Sequence, residues 1–378
     1  MKKPICLLVL VFASSLLSFA QTSPIADDRA AIEKVDRLFG PWNRPDTPGA
    51  AVAVIRDGRI LMEKCYGSAD LGKGTLIGPD TAFRLGSVTK QFTAMAVMQL
   101  AERGKLSYED PLSKYFPVFP AYARKITLRH LLQHTAGLPE YEALFVAQDK
   151  IDWNWPRSVK SEPSAFEPTS KDALEILAQV EEPRFAAGSR YEYSNSGYVI
   201  LAQIVERVSG QPFARFLREN IFQPLGMDRT CLSDQTRPGI QKLATSYRAE
   251  GGAYKDIDYT PVNAVYGADG IYSTLEDMCR WDQALYTEKL VKRATLEEAF
   301  TPGRLNDGSA TCSGFGWRVD QALGFGRVSH GGAWLGFRNA IVRFPDQRFT
   351  VILLANHGGF NVIDFVTQAS RFFLQANP

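Results

Sequence analysis

Apolar residues along this chain recur at two spacings, and the spacing changes with position. In DDRAAIEKVDRLFG, Ile32, Val35, Leu38 and Phe39 share one helical face. Asp27 or Asp28 is placed to cap that helix and Gly40 to end it. The following segment, GAAVAVIRDGRILMEKCYG, holds two apolar runs around Asp57-Gly58. Both of those residues tolerate positive φ, so the pattern predicts a β-hairpin and the start of a sheet. From Arg84 the run RLGSVTKQFTAMAVMQLAERG opens as a small-residue turn and becomes a helix ending near Arg103-Gly104. Its apolar positions are too frequent for a single stripe, which predicts burial nearly all round.

After Leu106 the texture changes. Short helical pieces such as TLRHLLQH, SKDALEILAQV and SNSGYVILAQIVERVSG alternate with loops rich in Pro, Gly and Trp. The segment DWNWPRSVKSEPSAFEPTS is long, irregular and proline-punctuated, a type of loop that is often functional. Strand texture returns with GFGRVSH, FRNAIVRF and RFTVILLAN, the last two joined by a turn at Pro345-Asp346-Gln347. A closing helix is expected from about Val362 to Leu374. Strands at both ends and helices between them predict a chain that leaves a sheet, builds a helical lobe over roughly residues 106–260, and returns. A cleft between the two parts is the expected place for a site. There is no internal repeat.

The first residues, MKKPICLLVLVFASSLLSFAQ, change the compartment expected. Lys2 and Lys3 precede an apolar run, and Ser18 and Ala20 occupy small-residue cleavage positions. This reads as a secretory signal peptide over residues 1–20 and predicts an exported protein, periplasmic or secreted, with the functional domain at 21–378. No later stretch is long and apolar enough to cross a bilayer. Without Lys2 and Lys3, 41 basic residues balance 41 acidic ones, so charge argues for neither a nucleic-acid nor an anionic-membrane partner. Cys65, Cys231, Cys279 and Cys312 remain. Four cysteines allow three full pairings, which the sequence does not rank, and buried thiols are an equal reading.

Candidate chemistry begins at Ser87. A serine hydroxyl is a weak nucleophile that needs a close base. Lys90 lies three residues on, on the same face of a helical turn. Lysine normally holds its proton at pH 7, but burial among apolar residues disfavours the charged form. The Ser87 backbone N–H, at a helix start, can also help hold an oxyanion. Alone, S-x-x-K recurs by chance in a chain of this length. Two further segments strengthen it. Tyr193-Ser194-Asn195 precedes an amphipathic helix; Ser194 or Asn195 could cap it, or Tyr193 could relay a proton with its acidity raised by the Lys90 cation, and Asn195 could contact substrate. His330-Gly331-Gly332 ends one strand and precedes another, and its glycines would let a ligand lie along the backbone.

In this order, SVTK at Ser87–Lys90, YSN at Tyr193–Asn195 and HGG at His330–Gly332 resemble the serine β-lactamase and penicillin-binding protein family, in its class C-like branch. FRLGSVTKQFTA, LLQHTAGL, YSNSGY and GADGIYST are similar too, so the resemblance spans essentially the whole chain after the leader. It implies an α/β (α+β) fold: a mostly antiparallel sheet flanked by helices, with an inserted all-helical lobe. Ser87 would then be the acylated nucleophile, Lys90 and Tyr193 would share general-base work, and Asn195 would orient substrate. His330, Gly331 and Gly332 would flank the acyl group, and the Ala333 N–H would join that of Ser87 in an oxyanion hole. No cofactor or metal is implied.

Members that hydrolyse penicillins usually carry Lys-Thr-Gly or Lys-Ser-Gly where this chain has His-Gly-Gly. Histidine offers little positive charge at neutral pH, and the middle hydroxyl is missing. The resemblance therefore implies a serine hydrolase acting on a small ester or on a D-residue amide or short peptide. A β-lactamase or DD-carboxypeptidase is the alternative, and an inactive binding protein is a rival of another class. The walls that choose among substrates are expected from Trp153–Pro168, Tyr266–Tyr272 and Trp334. His130 and His134 stand one helical turn apart, as zinc ligands can, but Leu131 occupies the place of a catalytic glutamate and no third ligand is evident. An α/β-hydrolase is disfavoured because no G-x-S-x-G elbow is present. Oligomeric state is not legible.

Overall fold

The computed structural model describes residues 26–151, 166–232, 240 and 242–374. Residues 1–20, expected as a signal peptide, and most of the irregular loop, 152–165, lie outside the described residues. Helix α1 spans Ala26–Phe39. Asp28, expected as a possible cap, is instead buried and paired with Arg56 at 2.8 Å. Strands β1 (Ala50–Arg56) and β2 (Arg59–Tyr66) form the hairpin, with Asp57 and Gly58 at φ 51° and 75°. This is the left-handed pair that a two-residue turn requires.

Short strands β3 (Ala82–Arg84), β4 (Cys231–Leu232) and β5 (Ile271–Thr274) make a small sheet in the order β3-β5-β4. The returning strands are β6 (Arg318–Ala322), β7 (Phe325–Trp334), β8 (Phe337–Phe344) and β9 (Phe349–Ala355). They join β1 and β2 in one antiparallel sheet, ordered β6-β7-β8-β9-β1-β2. The last strand pairs with the first, Ala50 opposite Ala355 and Arg56 opposite Phe349. Local hairpins build each half of the sheet, and this one long-range pairing closes it.

Period-two alternation separates two cores. Val52, Val54, Val351 and Leu353 face α1 and the closing helix α7 (Val362–Leu374). Ala51, Ala53, Ile55, Ile352 and Leu354 face the larger core. That core contains α2 (Lys90–Glu102), whose residues from Lys90 to Leu100 are all buried, and α6 (Leu275–Ala284). Every residue of β1 except its last is thus buried, which explains its unbroken apolar run. Along the chain between β2 and β6 come α3 (Leu128–Leu132), α4 (Tyr141–Ala147), α5 (Asn195–Ser209) and shorter helices. Among the described residues no helix is long and apolar enough to cross a membrane, and no disulfide joins Cys65, Cys231, Cys279 and Cys312.

Candidate active site

Ser87 sits in a 3-10 turn, Gly86–Thr89, that leads into α2. The expected helix therefore begins at Lys90 rather than at Ser87. The turn is wedged against β7. A side chain at Gly86, which has φ 59°, would meet the Ala333 amide nitrogen at 2.8 Å. One at Gly332 would meet the Leu85 carbonyl at 1.9 Å. Glycine at both places lets the strand lie directly on the turn. His330, Gly331 and Gly332 consequently lie inside β7, paired with Ile341, Ala340 and Asn339, rather than at a strand end. The glycines read from sequence as a break instead thin a continuous strand where the turn crosses it.

The Lys90 side chain is fully buried. Its Nζ lies 3.2 Å from Ser87 Oγ, 2.8 Å from Asn195 Oδ1 and 3.1 Å from the Ala268 carbonyl. The faces of Tyr193 and Tyr198 are 4.8 and 5.6 Å away. Burial dominates its protonation and brings it down to about 7, against the opposing pull of Glu140, Asp269 and Glu142. At neutral pH a large share of the amine is uncharged and basic.

Tyr193 hydrogen-bonds to Ser87, leaves 40% of its surface in the cleft, and stacks on His134 with ring centroids 4.5 Å apart. Its phenol is not made more acidic, as expected from a Lys90 cation. Burial pushes it well up, and Glu140, Asp269 and Glu142 add to that while the Ser87 bond opposes it. A partly neutral Lys90 cannot supply the charge on which the expectation relied.

His330 Nδ1 donates to the Gly331 carbonyl at 2.7 Å, leaving Nε2 as an acceptor. Burial, helped by Lys90, lowers this imidazole to about 4. It is neutral at pH 7. His330 and Tyr193, with His134, Tyr191, Trp317 and Arg318, line a cleft. Of the expected walls, residues 153–165 lie outside the described residues, and Ala268 of the Tyr266–Tyr272 segment gives its carbonyl to Lys90. Trp334 lies over the Arg84 guanidinium at 4.3 Å, and Tyr266 stacks on Phe213.

The two histidines weighed as zinc ligands have structural partners. His130 Nδ1 accepts the Thr127 N–H at 3.1 Å, capping α3, and His134 Nδ1 accepts the Ser194 N–H at 3.1 Å. No cluster of three or more possible metal ligands occurs among the described residues. His134 thus ties the HTAGL segment to the YSN segment. Two further residues were missed. Glu140 accepts the Asn195 and Ser196 amides at 2.8 and 3.4 Å, at the start of α5. Glu142 accepts from Asn195 Nδ2 at 3.2 Å. The only sequence signal was two acids in PEYEALF just after HTAGL, which reads equally well as a helix start. Asn195, expected to reach substrate, has both ends of its amide engaged within the protein.

A serine hydroxyl beside a buried, partly uncharged lysine, against a strand of an antiparallel sheet, defines the class: this is a serine hydrolase. Residues 33–372 match the family model described as Beta-lactamase, and the chain belongs to that family. It is 35% identical over 335 residues to penicillin-binding protein 4* of Bacillus subtilis (strain 168), covering 84% of this chain and 70% of that one. It is 29% identical over 314 residues to a D-aminopeptidase of Brucella anthropi, covering 82% of this chain and 56% of the relative. Among solved structures, an octameric penicillin-binding protein homologue from Pyrococcus abyssi aligns with a TM-score of 0.78 at 25% identity, over 91% of this chain and 77% of that one.

Proposed function

We propose that this is an exported hydrolase that transfers the acyl group of a small ester, or of a D-residue amide or short peptide, to Ser87 and then to water. The observation that carries the proposal is the 3.2 Å contact between Ser87 Oγ and a fully buried Lys90. Neutral Lys90 takes the hydroxyl proton as Oγ bonds to the substrate carbonyl carbon. The carbonyl oxygen becomes an oxyanion, and the backbone amides of Ser87 and Ala333 are the donors assigned to it. The proton then passes from Nζ through the Tyr193 hydroxyl to the departing alcohol or amine, whose bond to the carbonyl carbon breaks. Water attacks the resulting ester by the same route, and Ser87 regains its proton. In this scheme the base is Lys90. Tyr193 acts as a relay, since its phenol holds its proton at working pH.

The neutrality of His330 supports an uncharged or cationic substrate over a carboxylate-bearing β-lactam. The D-aminopeptidase relative favours the D-residue reading. Support for export is the leader-like pattern of residues 1–20, and sequencing the N terminus of protein recovered from its native host tests it. For the activity, purified protein is assayed against short-acyl p-nitrophenyl esters, D-alanyl p-nitroanilide and a chromogenic cephalosporin, with mass spectrometry of the Ser87 adduct. Esters or the D-anilide should turn over faster. Equal or faster cephalosporin turnover at neutral pH refutes the substrate assignment.

A further inference from the structure

Next to the Ser87–Lys90 pair stand two carboxyl groups with no part in the acyl-transfer steps. Glu140 and Glu142 flank Tyr141 where α4 begins, and both address Asn195. Glu142 is only 8% exposed. Its Oε1 accepts from Asn195 Nδ2, and its carboxyl also hydrogen-bonds the Tyr141 side chain. A buried carboxyl is costly to keep even when it is hydrogen-bonded.

The cost makes sense through Asn195. A primary amide has one accepting end and one donating end, so fixing either fixes both. With Nδ2 held by Glu142, Oδ1 faces Lys90 Nζ at 2.8 Å. A neutral amine has two N–H groups and one lone pair. Asn195 Oδ1 and the Ala268 carbonyl are pure acceptors and take both N–H groups. The lone pair is left for the third neighbour, the Ser87 hydroxyl. Were the amide turned over, Nδ2 would compete with Ser87 for that lone pair.

We propose that Glu142 is a positioning residue for acylation: by holding the Asn195 amide it aims the Lys90 lone pair at Ser87, and its charge, together with those of Glu140 and Asp269, opposes the freeing of that lone pair. This rests on the hydrolase mechanism proposed above. The titratable groups around the pair are Glu140 and Tyr141 on the same helix, Asp269 before β5, Tyr193, and the neutral His134 and His330. Burial, then the Glu140 charge, raises Glu142 to about 7, and Lys90 also stands at about 7. The two groups therefore exchange protons over one pH range and titrate as a coupled pair.

The test separates charge from hydrogen bonding. Glu142→Gln keeps an acceptor for Asn195 and removes the charge; Glu142→Leu removes both. The readout is the rate of Ser87 phosphonylation by a fluorophosphonate, followed by intact mass from about pH 5 to about pH 9. Melting temperature is measured on each protein. With the carboxylate gone, the acid limb of Glu142→Gln should move down by roughly one pH unit while its plateau rate stays within about threefold of wild type. The plateau of Glu142→Leu should fall by about 30-fold or more. An unmoved limb in Glu142→Gln overturns the charge role on that variant alone. A folded Glu142→Leu within about threefold of wild type overturns the positioning role. A wild-type protein that gains no Ser87 adduct at any pH is a different result, because it overturns the hydrolase reading itself.

Discussion

Lys90→Met removes the amine while preserving most of the side chain's length and apolar contact. The wild-type amine is fully buried and comes down from 10.5 to about 7 on folding. Between those values the unfolded chain carries a proton on Lys90 that the folded chain has shed. More protons on the unfolded state means that stability rises with pH, by about 1.36 kcal/mol per unit. The Lys90 contribution is therefore best at high pH and is lost as pH falls toward 7. Over the whole interval it amounts to about 5 kcal/mol. Urea unfolding of wild type and Lys90→Met, from about pH 7.5 to about pH 9.5, isolates it, since groups common to both proteins cancel in the difference. Starting above 7 keeps most of the coupled Glu142 in its charged form. The stability of wild type minus that of Lys90→Met should rise by about 2.7 kcal/mol across the window. A difference flat to about 0.5 kcal/mol would mean that the amine keeps its proton inside the fold. Ser87 would then have no base, and the acylation scheme would fail with it.

Gly332→Ala places a methyl 1.9 Å from the Leu85 carbonyl. Strand β7 must move off the Ser87 turn, so Ser87 labelling should drop about 100-fold and stability by about 2 kcal/mol, and wild-type-like labelling would deny that this contact positions the turn. Tyr193→Phe deletes the hydroxyl bonded to Ser87 and keeps the stack on His134. Ester turnover should fall by about 10²–10³-fold with little change in melting temperature, and a loss under threefold would exclude the proton relay. His330→Asn should leave the acid limb of ester hydrolysis near pH 7, because His330 titrates at about 4 and the limb belongs to the Lys90 pair. A limb displaced by a full unit would reassign it to the histidine.

The fold was legible wherever one residue's environment repeats along an element. Asp57-Gly58 fixes a two-residue turn whatever surrounds it, and the unbroken apolar run of β1 follows from helices on both faces of the sheet. The Ser87–Lys90 pair was legible for the same reason, since three residues in one chain turn cannot be far apart. What the sequence misplaced depends on contacts between distant segments. His330–Gly332 reads as a break because glycine usually interrupts strands. Here it continues one, because the Leu85–Gly86 backbone occupies the space that side chains would fill.

The electrostatics were the least legible part, and for a related reason. The direction in which Lys90 shifts follows from its apolar neighbours in α2, which adjacent residues reveal. The direction for Tyr193 depends on whether Lys90 is charged, and on three carboxyl groups, Glu140, Glu142 and Asp269, drawn from two distant segments. An unpaired lysine buried alone would simply lose its proton. One opposed by the charges of three nearby acids is held near the point where it can both take a proton and release it. That balance is what a general base operating at neutral pH requires, and it arises only once α2, α4 and the loop before β5 have folded together.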